Sequence, residues 1–190
     1  MLQRIATTFV LVLGIVLTSC SLSPTAGLTP YIDAGDGYQF LYPLGWQQVQ
    51  VSSGPDIVFH DLIQETENVS VVISPVTSGQ TLKDLGTPTE VGYTLQQKAI
   101  APPDSGRTAE LVNAYERESG TQTYYILEYE VTLPNQKRHD LATVAITRNK
   151  LYTLNVSALE SRWPKVSDLF ERVVQSFSVA SAPQTAADAA

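Results

Sequence analysis

Short runs of aromatic and β-branched residues, parted by turn formers, dominate the hydrophobic pattern of this chain. Residues 38–42, 46–51 and 56–62 are three such runs, separated by Pro43-Leu44-Gly45 and Ser52-Ser53-Gly54-Pro55, and they predict an antiparallel meander. Val69, Val71 and Ile73 then alternate with Ser70, Val72 and Ser74 up to Pro75, which lacks the N–H a ladder needs and marks a strand end or edge. Further strands are predicted over 108–117, 122–133, 139–147 and 151–158. In the second of these, Tyr125, Leu127, Tyr129, Val131 and Leu133 share one face while Glu128, Glu130 and Thr132 take much of the other. One side is therefore core. Tyr152, Leu154 and Val156 share a face of the last strand, with Leu151 and Leu159 at the ends of the other, a pattern compatible with cover on both sides.

Two segments change to a helical period. Thr87-Pro88-Thr89-Glu90 places a hydroxyl at the N-cap, proline at N1 and glutamate at N3, a capping box opening a helix to about Lys98. Pro102-Pro103-Asp104-Ser105-Gly106 closes that region. From Trp163-Pro164 onward, Val166, Leu169, Phe170, Val173, Val174 and Phe177 form the stripe of an amphipathic helix that must lie on a sheet. Together these elements predict the α+β class: a twisted, mainly antiparallel sheet with helices on its faces, in a layered sandwich.

The ends of the chain carry a different signal. Met1-Leu2-Gln3-Arg4 followed by an apolar run to Ser19 has the layout of a signal peptide, too short to span a bilayer, over residues 1–19. Leu17-Thr18-Ser19-Cys20 resembles a bacterial lipobox, which implies cleavage before Cys20 and acylation of its sulfur and new amino terminus. A chain carrying two or more acyl groups is held durably at a membrane without crossing it, so membrane lipid is an expected partner through Cys20. Residues 20–35 are rich in turn formers and predict a flexible tether, residues 36–180 the folded domain, and residues 181–190, rich in Ala with Ser, Pro and Gln, a disordered tail.

At 190 residues the chain suits one domain, and a monomer is expected. Its 12 basic and 19 acidic residues give a net charge of −7, one unit lower once Arg4 leaves with the leader. Such a surface repels nucleic acid and anionic lipid, and no basic stripe is present to reverse that. A single cysteine excludes an intrachain disulfide and a metal-thiolate cluster. The chain has 2 histidines, no second thiol, no G-x-S-x-G elbow and no glycine-rich phosphate loop, so no enzyme is expected. His60 reads as a strand residue facing solvent beside Asp61, and Trp46 and Trp163 read as core and corner fillers. The acidic stretches 65–67 and 116–118 read as solvated faces; they could hold calcium weakly, although the EF-hand spacing is absent.

Several ordered segments resemble one family. They are Gly35-Asp36-Gly37-Tyr38 with Tyr42-Pro43 and Trp46, Asn68-Val69-Ser70-Val71, Leu85-Gly86-Thr87-Pro88, Arg138-His139, Lys150-Leu151-Tyr152, Arg162-Trp163 and Ser176-Phe177-Ser178-Val179. In order and spacing these resemble the PsbP family of extrinsic photosystem II proteins, from about residue 36 to 179, and the lipid signal points to a cyanobacterial member. The resemblance implies an α-β-α sandwich, a lumenal position on the thylakoid membrane, photosystem II lumenal subunits as partners, and a part in assembling or stabilising the photosystem and its oxygen-evolving centre. Plant members carry a lysine-bearing arm without lipid that supports calcium and chloride retention. A tether on Cys20 stands in its place here, which shifts the expectation from ion retention toward assembly. The rival readings are a lipid-tethered binding module outside photosynthesis and a lumenal metal carrier.

The resemblance also implies a site. His139 and Glu160 occupy the positions of a histidine and acid pair that binds a divalent ion in the family, and Zn2+, Mn2+ or Ca2+ are the candidate ions, none of them required. The hairpin arithmetic admits this. A two-residue turn at Arg148-Asn149 puts Glu160 diagonal to His139, and one at Asn149-Lys150 puts it directly opposite; both place the pair on one face. A three-residue turn would separate them. Water or the nearby Asp140 would complete the shell.

Overall fold

The computed structural model describes residues 25–180. The signal peptide 1–19, Cys20, the start of the tether and the tail 181–190 lie outside the described residues.

Two antiparallel sheets carry the fold. The larger has seven strands: β3 (Gln47–Val49), β4 (Ile57–His60), β5 (Asn68–Pro75), β6 (Thr108–Ser119), β7 (Gln122–Leu133), β8 (Gln136–Thr147) and β9 (Lys150–Leu159), in the order β3-β4-β5-β9-β8-β7-β6. The smaller joins β1 (Leu28–Asp33), β2 (Tyr38–Pro43) and β10 (Ser178–Val179) in the order β1-β2-β10. Helices α1 (Leu82–Leu85), α2 (Pro88–Leu95) and α3 (Trp163–Ser176) cover the large sheet.

The α+β expectation holds, and the large sheet is covered on both faces. Tyr125, Leu127, Tyr129 and Val131 of β7 and Ala142 and Val144 of β8 pack with Leu82 and Val91 of α1 and α2. On the other face Leu141, Ala145, Tyr152, Leu154 and Val156 meet Val166, Phe170, Val173 and Val174 of α3 and Tyr38 and Phe40 of the small sheet. This double cover explains why β8 is buried from His139 to Thr147 without alternation. The helical caps are as the sequence predicts: the Thr87 hydroxyl accepts from Glu90 N–H, and the Glu90 carboxylate accepts from Thr87 N–H at 2.8 Å. The helix passes into a π turn, Gln96–Ile100. A second capping box, Thr81 with Asp84, opens α1, whose four residues are too few to leave a periodic signal.

Two expectations are corrected. The meander is broken after its first strand: β2 is flanked by β1 and β10, so both of its edges are paired and it stacks face to face on the large sheet. Tyr42 lies on Phe59 with ring centroids 4.1 Å apart, and Phe40 meets the same ring edge-on. The turn that separates β2 from β3 is closed by Trp46 N–H to the Pro43 carbonyl, with Gly45 at φ 89°, a conformation in which glycine carries no Cβ penalty. The predicted tether is also too long. Leu28–Asp33 is β1, paired throughout with β2, so the folded domain begins ahead of residue 36. Its prolines and threonines hid a strand that exists because β2 offers an edge. As the sequence predicts, Pro75 ends its strand, an interior one, pairing with Lys150 at the last rung of β5 against β9.

Candidate functional site

The turn between β8 and β9 decides whether His139 and Glu160 can meet. Thr147 pairs with Lys150, leaving Arg148 and Asn149 as a two-residue turn with φ of 50° and 60°. Two left-handed residues match the twist of a tight hairpin. In that register His139 pairs with Ala158 and Glu160 falls diagonal to it, one of the two arrangements the sequence admits. The backbone beyond β9 is held by Glu160 N–H donating to the Lys137 carbonyl at 3.0 Å.

His139 sits between two carboxylates and against an indole. Its Nδ1 lies 3.0 Å from Glu160 Oε2 and its Nε2 lies 2.8 Å from Glu128 Oε1. The ring stacks on Trp163 with centroids 3.9 Å apart and planes 13° apart. The histidine is 5% exposed, whereas the side chains of Glu128 and Glu160 retain 25% and 39% of their surface. Each carboxylate accepts a hydrogen bond from the ring only when both nitrogens carry protons; with the proton on Nε2 alone, Nε2–H donates to Glu128 and Nδ1 turns a lone pair toward Glu160. A divalent ion at Nδ1 would occupy the place of the second proton.

The donor set fits such an ion in part. A tetrahedral zinc with bonds of about 2.0–2.2 Å holds its ligand atoms about 3.4 Å apart, slightly wider than the present contact, and the half-exposed Glu160 side chain can supply the difference. Glu128 would then act as the outer acceptor that fixes the tautomer of the ligating ring. Asp140 cannot join. It points to the α1 and α2 face, where the Ser157 hydroxyl donates to it and Arg138 Nε donates to Ser157 Oγ at 2.9 Å. Burial raises the Asp140 pKa, opposed by the Ser157 hydrogen bond and by the Arg138 charge. Strand alternation is the reason: consecutive residues of β8 face opposite sides.

The other candidate residues fall elsewhere. His60 is half-buried at the end of β4, paired with Gln47 and Asn68. Of the acidic stretches, Glu116 and Glu118 lie 3.2 and 3.7 Å from Lys83, whereas Glu67 is buried and paired with Arg162 Nε at 2.6 Å, not solvated as expected. Trp46 is buried in the core and packs edge-on against Phe170, as expected of a core filler. At the opposite end of the sheet, Asp33, Asp36 and Asp56 bring carboxylate oxygens within 4.8 Å of one another. All three acids are already engaged: Asp33 accepts from Asp36 N–H at 2.8 Å, Lys150 Nζ donates to Asp36 at 2.7 Å, and the Tyr38 hydroxyl donates to Asp56.

The family model described as PsbP matches residues 26–179, which spans both sheets, all three helices and the His139 cluster. The chain belongs to the PsbP family. It is similar to CyanoP of Thermosynechococcus vestitus, 50% identical over 94% of this chain and 100% of that protein. The solution structure of CyanoP from Synechocystis sp. PCC 6803 matches with a TM-score of 0.71 and 46% identity, covering 87% of this chain and 99% of that one. The chloroplast protein named photosynthetic NDH subunit of lumenal location 1, from Arabidopsis thaliana, is 32% identical over 80% of this chain and 62% of its own length.

Within this PsbP domain the residue the sequence reading missed is Glu128. Alternation puts it on the polar face of β7, and only the β7–β8 register brings it to His139. Leu133 pairs with Gln136, so Glu130 lies opposite His139 and Glu128 diagonal to it, mirroring Glu160 on the other side. The two-residue linker Pro134-Asn135 was the available signal.

Proposed function

We propose that this protein is a non-catalytic, lipid-anchored accessory protein of photosystem II on the lumenal side of the thylakoid membrane, assisting assembly or stabilisation of the photosystem and its oxygen-evolving centre. The observation that carries this reading is end-to-end identity: half of all positions match a cyanobacterial CyanoP across that protein's whole length. Family membership alone would not choose the complex, because a more distant relative is named as a subunit of the photosynthetic NDH assembly. The lipobox cysteine supports confinement to a membrane surface, and a tethered domain needs only a weak contact because its effective concentration is high.

A divalent ion bound by His139 Nδ1 and Glu160, with Glu128 holding the far nitrogen, is part of the same reading. The ring held between two carboxylates favours it. With only two protein ligands the ion would exchange readily, which suits a handling or structural role better than a permanent cofactor.

Affinity isolation of the tagged full-length protein from solubilised thylakoids, with identification of the co-purified subunits, tests the partner. Recovery of photosystem II subunits from assembly intermediates is the expected result. Recovery of NDH subunits in their place, or a deletion strain with normal photosystem II assembly and normal recovery after photodamage, would overturn it.

A further inference from the structure

The end of the large sheet where the N-terminal segment leaves the domain carries an unusual surface. Gly27, just before β1, accepts a hydrogen bond from Leu44 N–H at 2.9 Å, so the entering chain lies against the β2–β3 turn. Gln47 pairs with His60, so the loop after β4 emerges at that same end. The side chains presented there are Leu44, 73% exposed, Leu62, 54%, and Ile63, 86%. These are three of the four most exposed large apolar side chains among the described residues; the other, Ile32, lies toward the far end of β1.

The loop is built to hold them outward. Asp61 accepts from Ile63 N–H at 2.7 Å and from Gln64 N–H at 2.6 Å, while Glu67 N–H donates to the Gln64 carbonyl at 2.7 Å and Asp61 N–H to the Glu67 carbonyl at 3.1 Å. Its acids are mostly turned away from solvent. Asp61 is half-buried with its carboxylate tied to the loop's own amides, and Glu67 is buried against Arg162, leaving Glu65 as the loop's exposed acid. A fixed loop that presents apolar tips and withdraws its acids is what contact with an apolar phase requires.

We propose that Leu44, Leu62 and Ile63 form a membrane-contacting tip that inserts at the lipid interface and sets the anchored domain in one orientation. This rests on the reading of Cys20 as the lipidated residue. From Cys20 to Gly27 is seven residues, a reach of at most about 25 Å even if fully extended, so the tip stays near the bilayer. Lipid is favoured over a protein partner because the chain bearing the anchor leaves the domain beside these side chains. The net negative charge of the protein does not oppose this, since the insertion is apolar and the lipid contacted can be uncharged.

The test uses the lipidated mature protein with a nitroxide-quenchable dye on Ile63→Cys or, as a control at the far end, on Ser53→Cys, in phosphatidylcholine vesicles containing nitroxide-labelled lipid. Cys20 does not compete for the dye because its sulfur is a thioether. The expected result is a protein that floats with the vesicles and an Ile63 dye quenched at least about threefold more than the Ser53 dye, as interfacial insertion demands. A Leu44→Glu, Leu62→Glu double variant should still float but lose that difference. Floating protein with equal quenching at both positions would overturn the tip while leaving the anchor intact; protein that does not float would overturn the anchor and the tip with it. An Ile63 dye unquenched in vesicles but shielded in thylakoids would assign the tip to a protein partner and overturn the lipid contact.

Discussion

The imidazole of His139 lies flat on the indole of Trp163, with ring centroids 3.9 Å apart and planes 13° apart. Stacking restricts the ring to a plane in which its two nitrogens point along the sheet, one to Glu128 and one to Glu160. The Trp163 ring also packs edge-on toward Phe170, with centroids 6.0 Å apart, so it links the cluster to the core. Trp163→Ala should cost about 2–3 kcal/mol in urea unfolding, with Trp163→Phe recovering most of that because a ring remains to stack on.

Divalent-ion binding should follow the asymmetry of the cluster. Zinc titration by calorimetry should lose its heat in a His139→Ala, Glu160→Ala double variant and weaken by about 10-fold in Glu128→Gln, which no longer accepts from Nε2–H as a carboxylate. Asp140→Asn should leave zinc affinity unchanged, since its side chain faces the other side of the sheet. Equal affinity in wild type and the double variant would remove the site.

Asp61 supplies a pH dependence with a definite sign. Its pKa is lowered chiefly by the Gln64 amide, and further by the Ile63 amide, the Trp46 side chain and the Arg162 charge. A carboxylate whose folded pKa is depressed contributes stability that is present above its unfolded value of about 3.9 and lost as pH falls through the folded one. Asp61→Ala should therefore cost about 1 kcal/mol at neutral pH, and the gap from wild type should narrow below about pH 4. Thermal unfolding of both proteins across that range reads it directly; a gap constant with pH would refute the assignment.

Lipidation should depend on one atom. Cys20 is the chain's single cysteine, so Cys20→Ala leaves no thiol for the diacylglycerol, and the protein should remain unprocessed or appear in the soluble fraction. Labelled fatty acid should enter wild type only. Label found in the Cys20→Ala protein would exclude Cys20 as the acylated residue.

Local chemistry made much of this molecule legible. The capping box at Thr87, the stripe of α3 and the alternation of β7 and β9 are set by neighbours within a few residues, and each element formed close to where its pattern lay. The pairing of His139 with Glu160 was legible to within two registers for the same reason, because a two-residue hairpin makes distant positions predictable by counting. The expectation of a leader ending at Cys20 likewise rests on local sequence alone.

Tertiary structure decided what local pattern does not encode: which edges pair and which faces are covered. β1 is a strand because β2 lies beside it, and β2 leaves the meander because both its edges are taken. Asp140 and His139 are neighbours in sequence, yet alternation sends one to Ser157 and the other to Glu128 and Trp163. Glu128 joins the site, and Glu67 becomes buried against Arg162, only because elements far apart in sequence come together at the same end of the large sheet. Hydrogen-bonding capacity and hydrophobicity belong to each residue, whereas the partner that satisfies them is chosen by the packing of the whole chain.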